Sequence, residues 1–239
     1  MATTFTGLCS HHDHQIFAPI ENQELEVSTE QLFLLAYRAG YRELHATIEA
    51  AVRAQQRYMS RVEQGLDPRH SQSPLGLAAT AHIANSYEMF TYKSRLDVAY
   101  AANAFSAVAH HVIRFVVENP TVAVCSVFSV DHIRVGDDVL RVHLNVLPLT
   151  KTETVVVFST LRSDATHATA FLDRILNSHG VHQRYEISRL VLNSSENFAI
   201  CPRYYDSWTQ EKREAVRTYF TRTIMVSDLG YESPHLYLF

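Results

Sequence analysis

Thiolate sulfur and imidazole nitrogen are the ligands zinc prefers, and the run Cys9-Ser10-His11-His12-Asp13-His14 gathers both kinds beside a carboxylate. The Cys9-x-x-His12 spacing can bring two of these groups to one ion, and Asp13 and His14 stand next in line as ligands. A closed structural zinc takes four ligands. Neither a Cys-x-x-Cys nor a second Cys-x-x-His occurs elsewhere in the chain, so the run supplies half a site. The alternative reading is an accessible polar loop.

Other groups with chemical capacity are sparser. Glu196-Asn197 sits among Leu190, Leu192, Phe198 and Ile200, where desolvation would raise a carboxyl pKa and make Glu196 a base or a ligand. The favoured reading is a structural polar centre, in which Glu196 and Asn197 tie a loop to the core. His110 and His111 point to opposite faces of any strand that holds them, so they cannot ligate one ion from one face. His179 and His182 could approach a metal from a turn but have no thiol or carboxylate at hand. Cys125, in a β-branched run, reads as a small buried hydrophobe.

Two stretches carry a resemblance. Gly7-Leu8-Cys9-Ser10-His11-His12-Asp13, then Ile16-Phe17, Ile20-Glu21 and Gln31-Leu32-Phe33-Leu34-Leu35-Ala36-Tyr37-Arg38, form the first. Ser195-Glu196-Asn197-Phe198-Ala199-Ile200-Cys201-Pro202-Arg203-Tyr204-Tyr205 forms the second. Together they resemble a family of uncharacterised bacterial proteins. In that family a zinc-knuckle-like Cys-x-x-Cys element and a Ser-His pair precede the Cys-x-x-His-Asp stretch, a layout similar to HNH-type folds. The resemblance implies that Cys9 and His12 match the second ligand pair. The first pair is then lost, supplied by another chain, or encoded upstream of Met1.

Several function classes are disfavoured. The chain has no Gly-x-Ser-x-Gly elbow, no Walker loop and no Gly-x-Gly-x-x-Gly turn, and its seven glycines leave little backbone for cradling phosphate. A formal charge of −4 gives no global field to attract nucleic acid. Arg38, Arg42, Arg53, Arg57 and Arg61 alternate with Glu43, Glu49 and Glu63, the pattern of a solvated helix face. Three widely spaced cysteines favour a reducing compartment. The start lacks a signal-peptide pattern and no apolar run is long enough to span a bilayer, so a cytoplasmic location is expected.

The elements that must position these groups follow from periodicity. Ser28-Thr29-Glu30-Gln31 has the form of a capping box, and Leu34, Tyr37, Tyr41, Leu44, Ile48, Ala51, Tyr58 and Val62 then step by threes and fours. Gly65 to Gly76 breaks this helix, and a second helix from about Leu77 to Phe105 returns antiparallel to it. Four β-branched runs follow, His110–Val117, Val122–Val130, Val139–Leu147 and Thr154–Leu161, with short breaks that suggest a meander. Arg141, His143 and Asn145 alternate with Val142, Leu144 and Val146, which predicts one wet and one buried face. Asp164 is placed to cap a helix ending near Gly180, residues 183–200 fit helix or strand, and Ser207-Trp208-Thr209-Gln210 predicts a final helix with Val216, Tyr219, Phe220 and Ile224 inward.

The sequence therefore reads as an α+β chain with a long N-terminal α-hairpin, an antiparallel β-meander of about four strands and C-terminal helices. Residues 1–27 form an irregular Cys/His segment and residues 28–239 one α+β domain. The expected function is a non-catalytic scaffold or interaction module with a vestigial or shared zinc half-site, meeting a protein partner or a second copy. The alternative is a metal-dependent hydrolase or nuclease of HNH-like descent. There His12, Asp13 and His14 would hold a divalent ion, with His11 and Arg38 as candidate base and phosphate-facing group. The apolar tail 234–239 is expected to dock on the core.

Overall fold

A computed structural model of the chain describes residues 8–69, 72–119, 121–136, 138–195, 198–226 and 231–239. The first segment is not irregular throughout: Ser10–Glu21 forms helix α1, which runs through Pro19. Packing overrides the local preference there. Phe17 is fully buried beside Tyr37, and the Pro19 carbonyl accepts a hydrogen bond from Gln31 Nε2 at 3.0 Å.

Helix α2 (Thr29–Glu63) starts at the expected capping box, with Gln31 N–H donating to Ser28 Oγ and Ser28 N–H to Gln31 Oε1. At 1.5 Å per residue it is roughly 50 Å long. Helix α3 (Pro74–Ala101) starts earlier than Leu77, because Ser73 caps it through the Gly76 N–H and Pro74 takes the first helical position. The helices run antiparallel, with Tyr37 Oη donating to Asp97 Oδ1 at 2.6 Å and Tyr37 stacked on Tyr100.

Strands β1 (Val108–Val116), β2 (Val122–Val135), β3 (Asp138–Pro148) and β4 (Glu153–Leu161) fall on the four expected runs, and a short β5 (Phe198–Ile200) joins them. All pairings are antiparallel and the order is β1-β4-β3-β2-β5. Thus β2, β3 and β4 form the meander, while β1 pairs with β4 and not with its successor. The end of β1 and the start of β2 therefore lie three strand spacings apart, about 14 Å. As a free edge, β1 has carbonyls tied off at both ends. Arg162 donates to Ser106 O and Val108 O, and Arg184 Nη2 donates to Val116 O at 2.7 Å.

Both sheet faces are covered. One carries Leu140, Val142, Leu144, Val146, Val156 and Phe158 against α4 (Ala165–Phe171), α5 (Asp173–Leu176), α6 (Gly180–Ser194), α7 (Pro202–Asp206) and α8 (Gln210–Val226). The ambiguous stretch is thus α6 followed by β5. Thr209, not Ser207, caps α8: its Oγ1 accepts from Lys212 N–H, while Ser207 Oγ donates back to Tyr204 O. Val216 and Tyr219 are buried as expected, and the Ile224 side chain lies outside the described residues. Leu236 and Leu238 dock fully in this core, with Leu238 N–H donating to Ser188 Oγ. The other face of β3 is not wet. Arg141, His143 and Asn145 are all at most 2% exposed, because the α2–α3 hairpin lies over them.

Candidate functional site

The N-terminal ligand candidates divide. Cys9 occupies the cap position of α1, and its Sγ lies 3.1 Å from His12 Nδ1, both residues exposed. At about 100° per residue His14 is swung away from that pair, while Asp13, four residues after Cys9, stays on the Cys9 side of the helix. Among the described residues no group of three or more His, Cys, Asp or Glu side chains could hold a metal ion. Glu196 and Asn197 lie outside the described residues. His110 and His111 do face opposite sides, bonding Ser159 Oγ (2.8 Å) and Thr169 Oγ1 (3.0 Å).

The densest buried chemistry is instead the polar layer between hairpin and sheet. His143 pairs with Ser159 across β3–β4, and Ser159 with His110 across β4–β1, so three adjacent strands contribute to one row. Directly opposed residues share a face in an antiparallel pair. From α3, Tyr92 Oη reaches His143 Nε2 at 2.8 Å. Burial, then His110, push the His143 pKa down to about 3, and the Ala36 backbone opposes the fall without reaching hydrogen-bond geometry at Nδ1. Burial, then the Arg162 and His111 charges, lower His110 to about 4. Burial raises Tyr92. All three are neutral near pH 7, and fully enclosed His143 serves as a hydrogen-bond link.

Room for that link comes from α2. A Cβ at Gly40 would sit 3.2 Å from Leu96 Cδ1 and 3.5 Å from His143 Cε1, so the residue must be small for helix and imidazole to meet. Beside it, Arg141 crosses the Tyr92 ring at 5.2 Å and pairs with Asp138 at 2.5 Å and Glu88 at 3.4 Å. Arg141 and its neighbours hold Asp138 below the usual carboxylate range against the opposing effect of burial.

The layer opens at one end into a cleft of about 370 Å³ lined by α2, α3, β2, β3 and the end of α6. Ser126 Oγ donates to Ser194 O and closes one wall. Arg42, expected on a solvated face, turns inward here and donates from Nη1 to Cys125 O. Burial raises the Cys125 thiol pKa, as expected of an inert cysteine.

On its opposite side the hairpin is apolar and open. From Pro74 to Tyr87 the chain has no Asp, Glu, Lys or Arg, yet Leu77, Ile83, Tyr87 (70%) and Phe90 (54%) on α3 are exposed, as are Ile48, Val52 and Met59 on α2. At about 100° per residue, Ile48, Val52 and Met59 lie 40–80° from Leu44, and Ile83, Tyr87 and Phe90 lie 100–160° from Met89, in the same rotational sense. Leu44 and Met89 belong to the buried cluster between the helices. Antiparallel helices are related by a two-fold axis across the pair, so the same sense puts both stripes on the same face. Gly40 and Tyr92, which meet His143, are offset in the opposite sense. The apolar stripes therefore face away from the sheet.

Neither a family model, nor a curated protein, nor a solved structure matches the chain. Sequence reasoning passed over Gly40, Tyr92 and the inward turn of Arg42. The signal that pointed nearest was the Arg141-His143-Asn145 alternation, which marks a polar face but not what covers it.

Proposed function

We propose that this chain is a non-catalytic scaffold or interaction module whose hairpin pairs with the hairpin of a second copy. The observation that carries this is the exposed α3 stripe on a helix segment without charged residues. An exposed apolar stripe of this kind marks an interaction surface. From Ile48 to Met59 the stripe is about 16 Å long, and with its neighbour on α3 the face is two helices, about 20 Å, wide. That is on the order of 300 Å² per copy in projection, the size of an apolar centre within the roughly 800 Å² per partner of a standard interface, whose rim is polar. Two such hairpins face to face make a four-helix bundle, in which each stripe gains a partner.

Gel filtration with light scattering tests this directly. The wild-type chain should run at twice its chain mass at micromolar concentration, and Tyr87→Glu with Phe90→Glu should run as a monomer with unchanged circular dichroism. A wild-type monomer at 100-fold higher concentration would contradict the proposal.

The second reading, a metal-dependent hydrolase or nuclease of HNH-like descent, is favoured by one observation, the 3.1 Å approach of Cys9 Sγ to His12 Nδ1. Two ligands are too few for a closed zinc site. In the interaction reading this pair is a vestigial or shared half-site. Elemental analysis after gel filtration separates the two: one tightly held zinc per monomeric chain supports the second reading, and zinc bound at one per two chains supports a shared site.

A further inference from the structure

The lining of the cleft beneath the hairpin carries two arginines, Arg42 and Arg141, and one carboxylate, Glu43. Arg141 lies on its wall although only 2% exposed. Asp138 and Glu88 balance that charge from the side of Tyr92. A guanidinium carries five N–H donors, so these two carboxylates and one ring face leave donors over. Arg42 lines the same space with one of its donors placed on Cys125 O. Asn85 from α3, Ser129 from β2 and Asn193 from α6 also line the cleft, and none has a side-chain hydrogen bond to another described residue.

Among the described residues the floor is an open strand edge, and β5 pairs with β2 only at Val122, Ala123 and Val124. Beyond them, Arg42 takes the Cys125 carbonyl, which shows that Cys125 directs its backbone groups outward. Each strand residue turns its N–H and C=O to one side and its neighbours turn theirs to the other, so Val127 and Ser129 also face outward, into the cleft they line.

We propose that this cleft binds a small carboxylate that also carries an amide, of the size and chemistry of a dipeptide. The carboxylate would take the spare donors of Arg42 and Arg141, the bidentate partner that a guanidinium fits best. The ligand amide would add to the Val127–Ser129 edge as a short strand does, and Asn85 and Asn193 would hold its remaining polar atoms. A volume of about 370 Å³ falls at the small end of the range for ligand sites. The site lies on the sheet side of the hairpin, so it stands or falls independently of hairpin pairing.

The test is calorimetric titration of the full chain with glycyl-glycine and alanyl-alanine, each beside its C-terminal amide. The free-carboxylate dipeptides should bind with a Kd below 1 mM, and the amides at least tenfold more weakly. Asn193→Leu, which narrows the cleft from a helix end, and Arg42→Met should each weaken binding at least tenfold with circular dichroism unchanged. If Arg42→Met fails to fold, Asn193→Leu decides alone. No binding by either dipeptide, equal binding of acid and amide, or full binding by Asn193→Leu would each overturn the proposal.

Discussion

Between pH 8 and pH 5 two buried histidines should drain the stability of this protein, before its carboxylates begin to titrate. His143 and His110 are held neutral in the fold, with pKa values pushed down to about 3 and about 4, whereas an unfolded histidine titrates near 6.5. Below 6.5 the unfolded chain takes up protons that the folded chain refuses. The stability these groups confer is thus complete above 6.5, drains as the pH falls, and stops draining once the folded values are passed. Each histidine costs about 1.4 kcal/mol per pH unit in that window, so at pH 5 the pair removes about 4 kcal/mol. A typical domain has about 5–15 kcal/mol in all, so this is a large share. With a urea slope of about 2 kcal/mol/M the midpoint should fall by about 2 M between pH 8 and pH 5. Urea titrations at half-unit pH steps measure it. His143→Gln, which can still accept from Tyr92, should abolish about half of the pH-dependent loss even if less stable at pH 8. A fall below about 1 kcal/mol in the wild-type protein, or an unaltered slope in the variant, would refute the reasoning.

Further expectations concern single side chains. Tyr92→Phe removes the partner of His143 Nε2 in a fully enclosed site and should cost about 1–3 kcal/mol by urea denaturation, with little change in secondary structure. Gly40→Val forces a branched side chain against Leu96 and His143 and should cost about 1–3 kcal/mol, whereas Gly40→Ala gains helix propensity and should lie nearer neutral in a thermal melt. Leu238→Ala empties a fully buried position next to the Ser188 hydrogen bond and should cost about 2–5 kcal/mol by the same measure. Burial lowers the Lys212 pKa to about 8. At pH 8 its neutral fraction should exceed that of an ordinary lysine by on the order of a hundredfold, so mass spectrometry after brief acylation should find Lys212 labelled early.

The sequence made the elements legible where local physics decides them. Ser28 and Gln31 announced α2 because a capping box is a matter of neighbouring residues, and the four β-branched runs announced four strands. Pairing was less legible: nothing in residues 117–121 says that β1 will bypass β2 for β4. The wet face expected of β3 failed because alternation reports that two faces differ, not that one meets water. His143 and Arg141 found their cover in two helices about a hundred and about fifty residues earlier, through Gly40 and Tyr92, which look unremarkable in their own windows. Thr209 displaced Ser207 as a cap because two serviceable hydroxyls stood close together and packing chose between them. Of the site, the Cys9–His12 contact was legible from spacing, whereas the cleft joins five elements that no local pattern links.

The treatment of β1 bears on how the chain behaves in a crowded solution. An uncovered strand edge is a template on which another chain can grow a sheet, and β1 is paired on one side only, with Val112 39% and Val116 78% accessible. Arg162 and Arg184 occupy the carbonyls at its two ends, and Arg114, paired to Glu153 at 2.8 Å, puts a charge near one of them. A chain that tried to add along the whole edge would have to displace two guanidinium groups. The same arginines that finish the fold at this edge therefore restrict strand addition at its two ends.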